Sequence, residues 1–450
     1  MEAPGPFAGA DTRAPRQPLS GPPLRPRAPE GLYAHVPFCV SRCPDCDFVV
    51  FAGAATRGPR NRMAELLGAL HRELDLRADL LDEAFGAPCA ARPPLGSLYL
   101  GGGTPSLLQA GAVAALVEHV DRRLGLAPGA EVTLEANPGP DELGDLAGFR
   151  AAGVTRLSIG AQSMDASELR TLGRRHSPGD VAVAVHAARR AGIGSVSLDL
   201  LTDLPDQTLS GWRRTLGMAL ELEPDHVSVY ALALDDPDGA GLTGATGDHL
   251  PLGRGARAWR DRVIPRQSED RAADMEAVSE ELLAAAGLRR YEIANWARPG
   301  HAARHNLLYW RRRPYLAIGP GAHGSDGGLE RTWNAAALDA YLGALAADEA
   351  GAATLPPGGR EVLGPHAAVA EEAMLGLRLH EGIDPVLAGN PSVERALAWG
   401  AGHGLVERDA HGARLTARGR LLAGEVFVRL LPDDPAPQAR ATRTSMPADG

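Results

Sequence analysis

With 450 residues, 44 % of them apolar, the chain is long enough for one large domain plus a smaller one. Its formal net charge of -10 speaks against a general nucleic-acid binder, and every basic residue is arginine, so no lysine is available as a Schiff-base or general-base residue. Four cysteines are too few for a disulfide scaffold, and no apolar run is long enough for a membrane span or a signal-peptide core, so a cytoplasmic protein in a reducing compartment is expected.

In chain order, residues 1–30 carry eight prolines and little that can form a core; they read as a disordered leader. The tail 432–450 reads the same way. Strands are predicted at Gly31–Val36, Ser97–Leu100, Glu131–Glu135, Thr155–Ile159, Ser195–Leu200 and His226–Leu232. All are short and aliphatic or β-branched, and several are almost continuously apolar, as strands buried on both faces are. Between them, Met63, Leu66, Leu67, Leu70 and Leu74 recur at helical spacing. Ser177-Pro178-Gly179-Asp180 is a helix start, and Gly153 and Gly192 stand where left-handed C-terminal caps belong.

Repeated strand–helix units predict an α/β fold with a parallel sheet. Six of them suggest a partial (β/α)6 barrel over 31–265, with a barrel extension over 266–360. A doubly wound sheet is the alternative that periodicity leaves open. Over 361–431 the amphipathic run Glu371–Leu379 and a hairpin-like stretch at Gly404–Arg408 and Gly412–Thr416 predict a small α+β winged-helix-like domain with a structural role.

Ligands of a parallel sheet gather at the C-terminal ends of its strands. There the first strand is followed by Cys39, Cys43 and Cys46, and the second by Gly101-Gly102-Gly103-Thr104-Pro105-Ser106. Glu135 ends the third, Gln162 follows the fourth and Asp199 lies near the end of the fifth. Five successive strands thus aim polar groups at one composite site. Cys89, entering the second strand from the opposite end, reads as an ordinary cysteine.

Three thiolates spaced C-x3-C-x2-C can wrap one face of a [4Fe–4S] cubane and leave the fourth iron open. The alternative is zinc, with His35 as fourth ligand; no second Cys/His pair follows at finger spacing, and iron–sulfur is preferred. The glycine-rich turn suits an amino-acid moiety on the open iron, and Glu135, Asp199 and Gln162 can meet ribose hydroxyls or an ammonium.

The cysteine motif followed by Gly-Gly-Gly-Thr-Pro-Ser resembles the radical S-adenosylmethionine (SAM) family. The span 31–430 resembles its branch of oxygen-independent coproporphyrinogen III oxidases and HemW-type heme chaperones. The resemblance implies a radical SAM barrel, cluster ligation by Cys39, Cys43 and Cys46, and SAM contacts at Tyr33, Gly102, Gly103, Thr104, Glu135, Gln162, Arg174 and Asp199. An electron from the cluster then cleaves SAM to a 5′-deoxyadenosyl radical. Two positions depart from the pattern: Asp45 replaces the aromatic residue before the third cysteine, and Asp203-Leu204-Pro205 replaces Gly-Leu-Pro.

Within the branch, the oxidases resemble C-x3-C-x2-C-x-C, and here the last position is Phe48. The chaperones resemble H-N-x-x-Y-W, matched by His305-Asn306-Leu307-Leu308-Tyr309-Trp310. That resemblance implies heme ligation by His305, an apolar wall from Tyr309 and Trp310, and propionate pairing by Arg311, Arg312 and Arg313. Tyr291–Gly300 and Gly319–Gly324 also resemble the branch, and His323 is a second ligand candidate. The expectation is a heme chaperone that passes heme to acceptors such as respiratory haemoproteins, with a homodimer allowed and neither nucleic acid nor a membrane span involved. The alternative is a coproporphyrinogen oxidase; a zinc-stabilised scaffold is a third reading.

Overall fold

The apolar runs fold as strands. The computed structural model describes residues 27–88, 91–346 and 353–431, so nearly all of the leader, the tail from 432 and Cys89 lie outside the described residues. The six strands are β1 (Gly31–Val36), β2 (Leu95–Gly102), β3 (Leu126–Ala136), β4 (Arg156–Gln162), β5 (Ser195–Thr202) and β6 (His226–Ala231). Each pairs in parallel with the next. Helices such as Met63–Phe85, Ala110–Leu124, Pro178–Arg190 and Leu209–Leu220 cross back between them. Strand order thus rises without reversal from β1 to β6. A doubly wound sheet reverses at a switch point, and that alternative is set aside.

The local signals act as their chemistry requires. Ser177 Oγ accepts from the Asp180 amide while the Asp180 carboxylate accepts from the Ser177 amide, which closes a capping box. Gly153 and Gly192 take φ of 100° and 78°, the left-handed values that end a helix.

Short strands lengthen the sheet at both edges. β7 (Arg289–Glu292) and β8 (Asn295–Ala297) add antiparallel beyond β6. β9 (Tyr315–Ile318) pairs in parallel with β1, and β10 (His323–Ser325), β11 (Glu330–Asn334) and β12 (Gly358–Val362) follow antiparallel. The sheet is therefore open, with β12 and β7 as its edges. Buried Glu73 on helix Met63–Phe85 ties in the new edge: it accepts from the Gly319 amide at 2.9 Å, Asn334 Nδ2 at 2.8 Å and the Tyr341 hydroxyl at 2.7 Å.

The C-terminal region has helices Pro365–Arg378, Pro385–Ala388 and Pro391–Gly402, then the hairpin β13 (Val406–Asp409) and β14 (Gly412–Leu415). This is a winged-helix order around a separate apolar cluster that includes Leu377, Leu397, Leu405 and Val426. Among the described residues no helix is long and apolar enough to cross a membrane.

Candidate functional site

Interior-facing residues at the C-terminal ends of the parallel strands surround a cavity of about 420 Å3. Its wall takes Cys39, Cys43 and Cys46 from the loop after β1, Gly102 and Gly103 from the end of β2, Glu135 from β3 and Asn137 just beyond it, Gln162 from β4 and Asp199 from β5. Arg174 closes it.

Burial pushes the Cys39 thiol up to about 11 and the Cys46 thiol up to about 12, and it raises Cys43 in the same direction. The Thr104 hydroxyl donates to Cys39 Sγ at 3.4 Å. A bound cationic group has to displace these protons. Among the described residues no three His, Cys, Asp or Glu side chains converge on one ion. A single zinc needs such convergence; a cubane takes each thiolate at a different iron. His35, the fourth ligand in the zinc reading, spends both ring nitrogens elsewhere: Nδ1 on the Tyr33 hydroxyl and Nε2 on the Val49 carbonyl, each at 2.8 Å. Three thiols on one short loop, with both His35 nitrogens engaged elsewhere, fit a [4Fe–4S] cluster.

Across the cavity, Glu135 accepts from the Tyr99 hydroxyl at 2.7 Å and the Gly102 amide at 2.9 Å. Burial outweighs both bonds and pushes its carboxyl up to about 7. Asp199, also raised by burial, accepts from Ser158 at 2.9 Å and Ser197 at 3.3 Å. Arg174 reaches Asn137 Oδ1 at 3.4 Å, and its buried Nε has no hydrogen-bond partner. An orphaned guanidinium donor beside the thiols, with two carboxyls opposite, matches a ligand carrying both a carboxylate and cationic or hydroxyl groups. SAM is such a ligand.

The glycines have a structural reason of their own. A Cβ on Gly102 would stand 2.6 Å from the His35 ring, and one on Gly103 would stand 2.9 Å from the Phe38 carbonyl carbon. Gly102 thus leaves room for the His35 ring of the neighbouring strand, and Gly103 lets the chain leading to Cys39 pass the strand end. Gln162, at a register shift between β4 and β5, takes a left-handed φ of 63°. Asp203 takes the left-handed φ of 56° that a glycine would occupy freely; its carboxylate accepts from the Ser268 amide and from Arg271 Nε at 2.8 Å.

No motif pointed to Tyr99, Asn137 or Arg260. Arg260, on helix Arg254–Val263, donates to the carbonyls of Pro44 and Asp45 at 3.4 Å each and to the Asp47 carboxylate, pinning the cysteine loop from outside. Asp45 lines the cavity with one buried carboxylate oxygen unpartnered.

Tyr33 lies elsewhere. It lines a second, open cavity of about 270 Å3 with Phe48, Asp248, His249, Tyr309, Tyr315 and His323. Asp47 and Phe48 form a wall common to both cavities. Helix Arg304–Trp310 lies beneath the two: Ala303 and Asn306 face the first, Tyr309 the second. His305 between them is fully buried, with Nδ1 on Ser97 Oγ at 2.8 Å and Nε2 unpartnered. Burial pushes this imidazole down to about 3, so it is neutral. Trp310 faces neither cavity and lies 4.3 Å beneath the Arg378 guanidinium. Arg311, Arg312 and Arg313 are each engaged by a carboxylate, of Glu381, Glu371 and Glu30.

Comparison with known proteins gives the family. The radical SAM superfamily model matches residues 33–219. The heme chaperone HemW of Mycobacterium tuberculosis (strain H37Rv) is 39 % identical over 408 residues, covering 90 % of this chain and 96 % of that protein. The chain belongs to the HemW family of the radical SAM superfamily. Heme chaperone HemW of Escherichia coli (strain K12) is 37 % identical over 308 residues, 68 % of this chain and 73 % of the relative. Coproporphyrinogen III oxidase (HemN) from Escherichia coli, a radical SAM enzyme, shares the fold with a TM-score of 0.71 over 90 % of each chain at 23 % identity. Membership in the radical SAM superfamily implies a [4Fe–4S] cluster and SAM as cofactors.

Proposed function

We propose that this protein is a cytoplasmic heme chaperone that binds heme and passes it to acceptor haemoproteins. Cys39, Cys43 and Cys46 would hold the [4Fe–4S] cluster, and Gly102, Gly103, Glu135, Gln162, Arg174 and Asp199 the SAM. Thr104 contributes from behind through Cys39 Sγ, whereas Tyr33, in the wall of the second cavity, takes no part in holding SAM. When bound, the cluster supplies an electron that can cleave SAM. The chain's own residues bind and orient: Arg174 receives a carboxylate, Glu135 and Asp199 accept from an ammonium or from ribose hydroxyls, and the buried walls exclude water. Residues 31–265 form the barrel, 266–360 its heme-bearing extension and 361–431 the appended domain.

One observation carries the heme reading: the intact H-N-x-x-Y-W helix places Tyr309 in the wall of an open aromatic cavity adjoining the cysteine loop, where Phe48 occupies the position of the oxidases' extra cysteine. His305 and Trp310 belong to the same segment. Because His305 is fully buried, its Nε2 meets iron only if the helix shifts. The test is an optical titration of the anaerobically reconstituted protein with heme. Saturation near one heme per chain is expected. Absence of saturable binding, with turnover of coproporphyrinogen instead, would replace the chaperone by the oxidase.

A further inference from the structure

We propose that His249 is the ligand that first receives the heme iron, at its Nε2, in the open cavity beside Tyr309. The inference rests on the heme-chaperone reading and names its site.

The cavity has what the buried His305 lacks. Asp248 engages two imidazoles at once, His249 Nδ1 on Oδ1 at 3.0 Å and His323 Nε2 on Oδ2 at 3.1 Å. Their side chains are 32 % and 45 % exposed, against none of His305. The two rings are not equivalent. His249 gives Asp248 its Nδ1 and so turns Nε2, the less hindered nitrogen, away from the carboxylate. That is the usual carboxylate–histidine–metal arrangement, in which the carboxylate fixes tautomer and ring plane and raises ligand basicity. His323 gives Asp248 its Nε2, keeps only the nitrogen beside its own Cβ, and stacks on Trp333 at 6.0 Å. Its role is to hold the carboxylate.

The walls select the ligand's class. Tyr33, Tyr309 and Tyr315 flank the cavity, the last two edge to face with centroids 4.7 Å apart. Phe48 stands at the rim, 66 % exposed. Tyrosine walls, an exposed phenylalanine and an oriented imidazole suit a flat aromatic macrocycle carrying a metal that takes axial nitrogen. A volume of about 270 Å3 admits one edge of such a ring and leaves the rest against Phe48 and solvent. A cargo that must leave again is served by partial enclosure. Ligation uses the Nε2 lone pair; Nδ1–H stays on Asp248, and any proton on Nε2 departs to solvent.

The test is a titration of the full, cluster-loaded chain with ferric heme, followed by absorbance, for wild type, His249→Ala, His249→Cys and His305→Ala. His249→Ala is expected to lose the nitrogen-ligated spectrum and about tenfold or more in affinity, with free imidazole restoring the spectrum. His249→Cys is expected to convert it to a thiolate-ligated one, which shows both that the variant folds and that residue 249 touches iron. Loss of that spectrum in His305→Ala, with both His249 variants unchanged, would assign the iron to His305 and overturn the inference. Unchanged spectra and affinities in both His249 variants would overturn the inference while heme binding, and with it the chaperone reading, stands. No saturable binding by the wild type would overturn both.

Discussion

At Glu135, burial and hydrogen bonding oppose each other, and burial wins: the carboxyl sits near 7 instead of 4.5. Between those values the folded, ligand-free protein holds a proton that the unfolded chain has released. Its stability therefore falls as pH rises through that window and levels off above it. Thermal midpoints against pH should show this slope in wild type and a flatter one in Glu135→Gln. A cationic ligand favours the ionised form, so SAM binding should tighten as pH climbs past 7 in wild type alone. At the cysteines, Ala at 39, 43 or 46 should abolish the brown absorbance and acid-labile sulfide of the reconstituted protein. Glu135, Gln162 and Asp199 were legible because a parallel sheet delivers strand-end polar residues to one face. Tyr99 was not: in β2 it reads as one more core aromatic, and only the cross-strand bond to Glu135 gives it a role.

Helix Met63–Phe85 shows the same limit at the next scale. Its apolar stripe was plain, and Leu66, Leu70 and Leu74 are fully buried. Glu73 beside them is buried as completely, and nothing local foretells an acid in that core. The donors that justify it, at Gly319, Asn334 and Tyr341, come from the far end of the chain. Glu73→Ala strands those donors and the Arg77 guanidinium, which pairs with Glu73 at 2.7 Å, and should cost about 3–5 kcal/mol in urea unfolding. The loss should also loosen the turn at Gly319, where φ is 106° and an added Cβ would lie 2.5 Å from the His35 carbonyl oxygen. That turn leads into His323, so heme affinity should drop with stability.

Across the whole molecule, strand–helix alternation gave the parallel sheet but left its strand order open between a partial barrel and a doubly wound sheet, and both sheet extensions escaped it. Their strands are three to five residues long and most are polar, and pairs such as Gly31 with Tyr315 join distant parts of the chain. Among the contacts that join the C-terminal region to the rest is Arg378, which pairs with buried Glu292 at 3.2 Å and covers the Trp310 ring. Arg378→Ala leaves Glu292 short of a cation and uncovers the indole. It should cost about 3 kcal/mol, alter tryptophan fluorescence and split one unfolding transition into two.

On the proposed function, the wall formed by Asp47 and Phe48 stands between the cluster and the heme. The residues directly after the last cysteine shape the second cavity as well, and Arg260 ties Asp47 to the same loop. If occupancy of one cavity shifts that wall, it biases the other, and equilibrium linkage makes the bias mutual. Heme should bind more weakly once the cluster is stripped, and bound heme should protect the cluster from chelators. Measured together, those effects would make the protein a coincidence detector, releasing its cargo readily when cluster supply fails and holding it when both forms of iron are present.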